Sequence, residues 1–248
     1  MIDLKAEFQQ ALAADPYQDA LAQLAADHFG RKIPAAKRAE LTSAALQIGV
    51  ELAEKLLQEY SSEKKAADDS AAKTDSKKQP DDNPEISHET EAAAGGSRPS
   101  RQRLQDPGVL AVSLGAVVTD SEYPIAPEFT TVGYFETPNE IFVNRYFARY
   151  DEQAEAAGMP LLRYVSWREV VIAHELFHYL DETKKAVPQQ DYRLKLWQLG
   201  PYTHQTELSV LREISAMAFA QKLTDWPFYP GRLSAMLVKL TRNDVASP

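Results

Sequence analysis

Apolar residues recur at helical spacing from the start of the chain. Leu4, Phe8 and Leu12 share one face, and Asp15-Pro16 opens a second helix that carries Leu21, Leu24 and Phe29, with Gly30 placed to end it. After Ile33-Pro34 a third stripe follows, Leu41, Ala45, Ile48, Leu52 and Leu56, with Arg38, Glu51, Glu54, Lys55 and Glu59 mostly on the other side. Residues 1–60 therefore read as a small helical module that either packs on the rest of the chain or binds a partner. From Ser61 to Asp106 the only large aliphatic residues are Ile86 and Leu104, among Ser, Ala, Lys, Asp, Glu, Gly and Pro. That is too little apolar area to offset the entropy of ordering, so 61–106 is expected to be a disordered linker, with His88 solvated inside it.

The pattern changes again over residues 107–248. Val109 to Thr119 is rich in β-branched residues and predicts a strand, bulged at Gly115. Thr131–Phe135 and Ile141–Val143 flank Glu136-Thr137-Pro138-Asn139-Glu140 as a hairpin, and Asn144 caps a helix over Arg145–Ala157 that stops at Gly158. Met159-Pro160 then breaks the chain before its most apolar helical stretch, Val165 to Asp181. Ser166 and Glu169 form a capping box there, with Val165 and Val170 as a hydrophobic staple. Ile172, Ala173, Leu176, Phe177, Tyr179 and Leu180 cover more than half of this helix, which therefore belongs in an interior. A polar connection, a partly helical piece over Asp191–Leu199, a helix over Thr206–Leu223 and an amphipathic segment over Arg232–Leu240 complete the domain. The expected fold is α+β: a small antiparallel sheet and a central helix in a zincin-like domain, preceded by the helical module. Deleting residues 1–106 is expected to leave a folded, metal-binding domain.

The interior helix carries polar groups that are costly to bury: His174, Glu175, His178 and Asp181, in the pattern H-E-x-x-H. Histidines four apart stand one turn above each other, and Glu175 is displaced from that line by about 100°. Two imidazoles so placed can share a zinc ion whose bound water has a pKa near 7, and an offset glutamate can take that water's proton. The other reading is a buried helix whose histidines bond to backbone or carboxylates.

Composition narrows the chemistry. Among 248 residues there is no cysteine, so disulfides and thiolate metal sites are excluded and a metal needs histidine and carboxylate ligands. A net charge of −9 argues against general nucleic-acid binding. No run is long and apolar enough to span a membrane, and the segment from Met1 lacks the basic start and apolar stretch of a signal peptide, so a cytoplasmic location is expected.

A third ligand must come from elsewhere. Lys184 stands six residues after His178, which excludes the metzincin pattern. Glu213 is preferred, because it shares a helix face with Ser209, Ala216 and Ala220 that permits close approach of a partner helix. Glu207 on the same helix is the runner-up, and Asp181, Asp191 and His204 are further alternatives. Tyr192, Tyr202 and His204 are candidates to stabilise an oxyanion, and Asp181 is a candidate to orient a ligand histidine through its second nitrogen.

The segments Gly133-Tyr134-Phe135 to Ile141-Phe142-Val143-Asn144, His174-Glu175-Leu176-Phe177-His178 and Glu213 to Ala220 together resemble the ImmA/IrrE-type, gluzincin-like metallopeptidases. The resemblance implies a zinc-dependent intracellular endopeptidase acting on a protein or peptide, with the regulatory protein it cleaves left open. Its implied site is His174, His178 and Glu213 on Zn2+, with Glu175 as base. The alternative is a non-catalytic protein of the same fold that binds a metal or a partner, the latter through residues 1–60.

Overall fold

The computed structural model describes residues 4–75, 106–123, 131–188 and 192–242. Residues 76–105, which hold most of the expected linker and His88, lie outside the described residues, as does Asp191. The chain begins with helices α1 (Leu4–Ala13), α2 (Pro16–Ala26) and α3 (Ala35–Asp75). The Asp15 carboxylate accepts from Tyr17 N at 3.0 Å, so Asp-Pro opens α2 as the sequence predicts. Gly30 does not cap α2. It starts a 3-10 turn, Gly30–Lys32, and lies so close to Leu24 O that a Cβ has no room. Helix α3 continues past Tyr60 into the expected linker, to Asp75.

The strand expected at Val109 is a helix, α4 (Pro107–Ser113). Asp106 caps it by accepting from Gly108 N at 2.9 Å and Pro107 occupies the first turn, a helix start that outweighs the β-branched composition. Gly115, at φ 95°, turns the chain into β1 (Val117–Ser121). The predicted hairpin is present as β2 (Gly133–Glu136) and β3 (Glu140–Asn144). The sheet is mixed rather than antiparallel, in the order β1-β3-β2, because β1 runs parallel to β3. Asn144 accepts from Tyr146 N at 3.0 Å, but the helix after it divides into a 3-10 segment, Arg145–Tyr150, and α5 (Asp151–Ala156).

The central helix α6 (Tyr164–Lys184) starts before Ser166. Its first amide is capped from a distance: Tyr164 N donates to the Asp151 carboxylate of α5 at 2.6 Å. Ser166 Oγ instead donates to Pro160 O, and Val165 is 65% exposed, so neither capping box nor staple forms. Beyond α6, the segment expected to be partly helical is strand β4 (Arg193–Leu199), paired antiparallel with β5 (Tyr202–Glu207) across a turn at Gly200, φ 58°. Polar and apolar residues alternate at Arg193-Leu194-Lys195-Leu196, the period of a strand. Helices α7 (Ser209–Thr224) and α8 (Gly231–Arg242) follow.

One hydrophobic core runs from Leu4 to Leu240, with Trp167, Phe177 and Phe219 fully buried near its middle. The N-terminal helices belong to it. Ser215 Oγ of α7 donates to Ala45 O of α3 at 2.8 Å, and Gly49 lies against the α7 backbone, where a Cβ would come within 2.1 Å of Ser215 O. A Gly49→Val variant should force α3 and α7 apart and lose about 2–4 kcal/mol of stability in a urea melt. An unchanged midpoint would show that the contact is not close-packed.

Glu169 ties α6 to α4. It accepts from Gly108 N at 3.0 Å and pairs with Arg168, which in turn pairs with Asp120. Burial raises its pKa to about 7, with the neighbouring Asp106 carboxyl adding to the shift. A carboxyl whose folded pKa exceeds its unfolded value holds a proton in the folded state that the unfolded chain has lost. Stability therefore falls as pH rises from about 4.5 to about 7. Glu169→Gln should flatten that fall, giving a higher melting temperature than wild type at pH 8 and little difference at pH 4.5. Parallel melting curves across that range would count against the shift.

Candidate metal centre

Helices α6 and α7 cross with His174, His178 and Glu213 facing one another. His174 Nε2 and His178 Nε2 lie 3.2 Å apart, Glu213 Oε2 is 3.3 Å from His174 Nε2, and Glu213 Oε1 is 3.4 Å from His178 Nε2. The imidazoles are nearly buried, with 14% and 12% of their side-chain surface exposed, and Glu213 keeps 43%. Helix α7 meets α6 through Phe219 against Phe177, ring centroids 5.7 Å apart, and meets α3 through Ser215 and Ala218.

A tetrahedral ion with bonds of about 2.0–2.1 Å to nitrogen and oxygen holds its donor atoms about 3.3–3.4 Å apart. The two Nε2 atoms stand 3.2 Å apart and each meets a different oxygen of Glu213, at 3.3 and 3.4 Å, close to those separations, and two imidazoles with one carboxylate form a donor set suited to such an ion. His174, Glu175 and His178 alone form a group able to hold a metal ion, with one donor atom each within 4.8 Å of the others. Electrostatics point the same way. Burial opposes charge on His174, yet the Glu213 hydrogen bond and the nearby Glu175 raise its pKa. Burial would likewise raise Glu213, but hydrogen bonds from His174 and His178 hold it far below the ordinary carboxylate range. The site thus favours positive charge between these groups. His174 Nδ1 is buried with no hydrogen-bond partner, so that ring's polar compensation comes through Nε2.

Glu175 stands beside the triad, 7% exposed, and its carboxyl pKa is raised by burial. It accepts a hydrogen bond from the backbone amide of Phe135 on β2. The position of β2 is close: a Cβ on Gly133 would meet Val171 Cγ1 at 2.3 Å, so only glycine lets this strand lie on α6. A cavity of about 320 Å³ opens over His174, Glu175 and Glu213.

The remaining candidates are elsewhere. Glu207 ends β5 rather than lying on α7, and it pairs with Arg212 at 2.9 Å. Asp181 is fully buried and its carboxylate meets the same Arg212 at 2.9 Å, so its charge is balanced by a guanidinium rather than by a metal. Tyr202 is 61% exposed at the start of β5 and does not line the cavity. Tyr192 is buried under the Arg212 guanidinium. The backbone of His204 pairs with Trp197 in β5, and its side chain lies outside what is described. Sequence reasoning missed the part played by Gly133 and Phe135 in seating Glu175, and missed Pro230, Leu233 and Ser234 of the α8 region as cavity lining. The glycine in an otherwise apolar strand was the available signal for the first.

Comparison of the chain with protein-family models, with curated proteins and with solved structures finds no significant match.

Proposed function

We propose that the protein is a zinc-dependent endopeptidase resembling the ImmA/IrrE-type metallopeptidases. The observation that carries this reading is the meeting of the His174 and His178 Nε2 atoms with each other and with the two oxygens of the Glu213 carboxylate at 3.2–3.4 Å, with Glu175 buried beside them. His174, His178 and Glu213 would hold the ion. Zinc bound there supplies a Lewis acid that activates water at neutral pH. The Glu175 carboxylate takes the proton of the attacking water and returns it to the leaving amine, and its raised pKa brings it nearer the pH at which it must do both.

A peptide substrate is supported by the sheet edge. Asn144 N donates to Val132 O at 2.8 Å, so in the β2–β3 register Val132, Tyr134 and Glu136 direct their backbone groups to β3. Gly133 and Phe135 direct theirs outward, on the outer strand of the sheet. The Phe135 amide meets Glu175, and Gly133 offers its N–H and C=O beside the cavity, where an extended chain can add as a further strand.

Metal content tests the reading first. Wild type prepared without added metal, or reconstituted with zinc, should contain about one zinc per chain. His174→Ala and Glu213→Ala should each lose it or bind it at least tenfold more weakly. Wild type that takes up no zinc would leave the histidines as a buried ion-paired cluster and give the lead to a non-catalytic role.

A further inference from the structure

The cavity over the triad has a composition of its own. Its floor is His174, Glu175 and Glu213, and its walls are Val132, Val170 and Val171 on one side and Met217, Pro230 and Leu233 on the other. Among the described residues no lysine or arginine lines it, and the remaining side-chain polar groups are the hydroxyls of Thr131 and of Ser234, which is exposed. Against the apolar lining a charged side chain of either sign would lose hydration, an acidic one beside the Glu175 carboxylate and a cationic one beside an ion held on the triad. A volume of about 320 Å³ is near the lower end for ligand sites, enough for one side chain and the backbone that carries it.

The far wall is held rigidly. Arg232, next to Leu233, forms a two-pronged ion pair with Asp19 of α2 at 2.6 and 2.5 Å. Tyr229 OH donates to Gln23 Oε1 at 2.7 Å, and the Tyr229 ring packs so closely over Gly231 that a Cβ would come within 2.6 Å of it. Lys239, further along α8, pairs with Glu7 of α1. A wall fixed by so many contacts selects by size rather than yielding to any guest.

We propose that this cavity is the subsite for one uncharged aliphatic or aromatic side chain of the substrate, and that Leu233 sets the size it accepts. The proposal rests on the peptidase reading above. The test uses the zinc-loaded full chain and hydroxamates, which bind the metal without turnover: acetohydroxamate, and blocked peptide hydroxamates differing in one side chain, Ala, Leu, Phe, Asp or Lys. Calorimetry should give Leu or Phe at least tenfold tighter binding than Ala, with Asp and Lys weaker than Ala. Leu233→Ala should raise the affinity for Phe relative to Leu at least fivefold, and Leu233→Val should shift it the same way by less should the alanine variant not fold. Equal affinity across the side chains, with acetohydroxamate still bound, overturns the subsite and leaves the metal site standing. A Phe-to-Leu ratio unmoved in zinc-replete, folded Leu233 variants takes the role from Leu233. Failure of acetohydroxamate and every peptide hydroxamate to bind removes the subsite and the peptidase reading together.

Discussion

A Glu175→Gln variant is expected to bind zinc like wild type and to hydrolyse peptide about 10²–10⁴-fold more slowly. The amide side chain nearly matches the carboxylate in shape and can still accept from the Phe135 amide, so the strand and helix should stay as they are. It cannot take a proton. Glu175 is also outside the donor triangle, whose three sides join His174, His178 and Glu213, which is why metal binding should survive. The check is turnover of a fluorogenic peptide library alongside zinc content for both proteins. Turnover within tenfold of wild type, at equal zinc, would remove Glu175 as the base. Loss of zinc would place it among the ligands instead, in the His174-Glu175-His178 grouping that its proximity also allows.

Removal of the N-terminal helices should cost the fold, contrary to what the sequence alone suggests. Leu4, Phe8, Leu24, Ile33 and Leu56 are buried in the same core as α6 and α7. At about 2 kcal/mol for each such side chain, their burial is worth on the order of 10 kcal/mol, comparable with the whole net stability of a typical domain. Deletion would also uncover the surface at Ser215 and Ala218 of α7, the helix that carries Glu213, and release Tyr229 from Gln23 and α8 from Asp19 and Glu7. A chain beginning at residue 106 should therefore show no cooperative thermal transition by circular dichroism and should not retain zinc. A sharp transition with about one zinc bound would show that residues 106–248 form an independent domain and that the N-terminal helices merely rest on it.

Among the described residues no helix is long and apolar enough to cross a membrane, in keeping with the absence of any such run in the sequence. Much of the local structure was equally legible. Asp15-Pro16, the β2–β3 hairpin, the Asn144 cap and the α8 stripe are set by neighbours in the chain, through turn chemistry and periodicity. The spacing of His174, Glu175 and His178 is likewise local, since a helix places residues four apart on one line whatever surrounds it.

Where the reading failed, a distant group supplied what the local pattern was expected to supply. The start of α6 is capped by Asp151 of another helix, so Ser166 is free to bond Pro160 O. Asp106 and Pro107 outweigh the β-branched residues that follow them, and β1 pairs parallel to β3, which no turn signal announces. Asp181 and Glu207 are ligands by residue type alone, but Arg212 lies 2.9 Å from each. By itself the sequence determined that two histidines and a glutamate share one interior helix, because helical geometry is a property of consecutive residues. Only the tertiary structure decided that Glu213 completes the triangle, that Gly133 brings a strand edge against Glu175, and that the first helices carry part of the wall. Each of these depends on how closely separate elements approach, which is set by packing between distant parts of the chain and not by any run of consecutive residues.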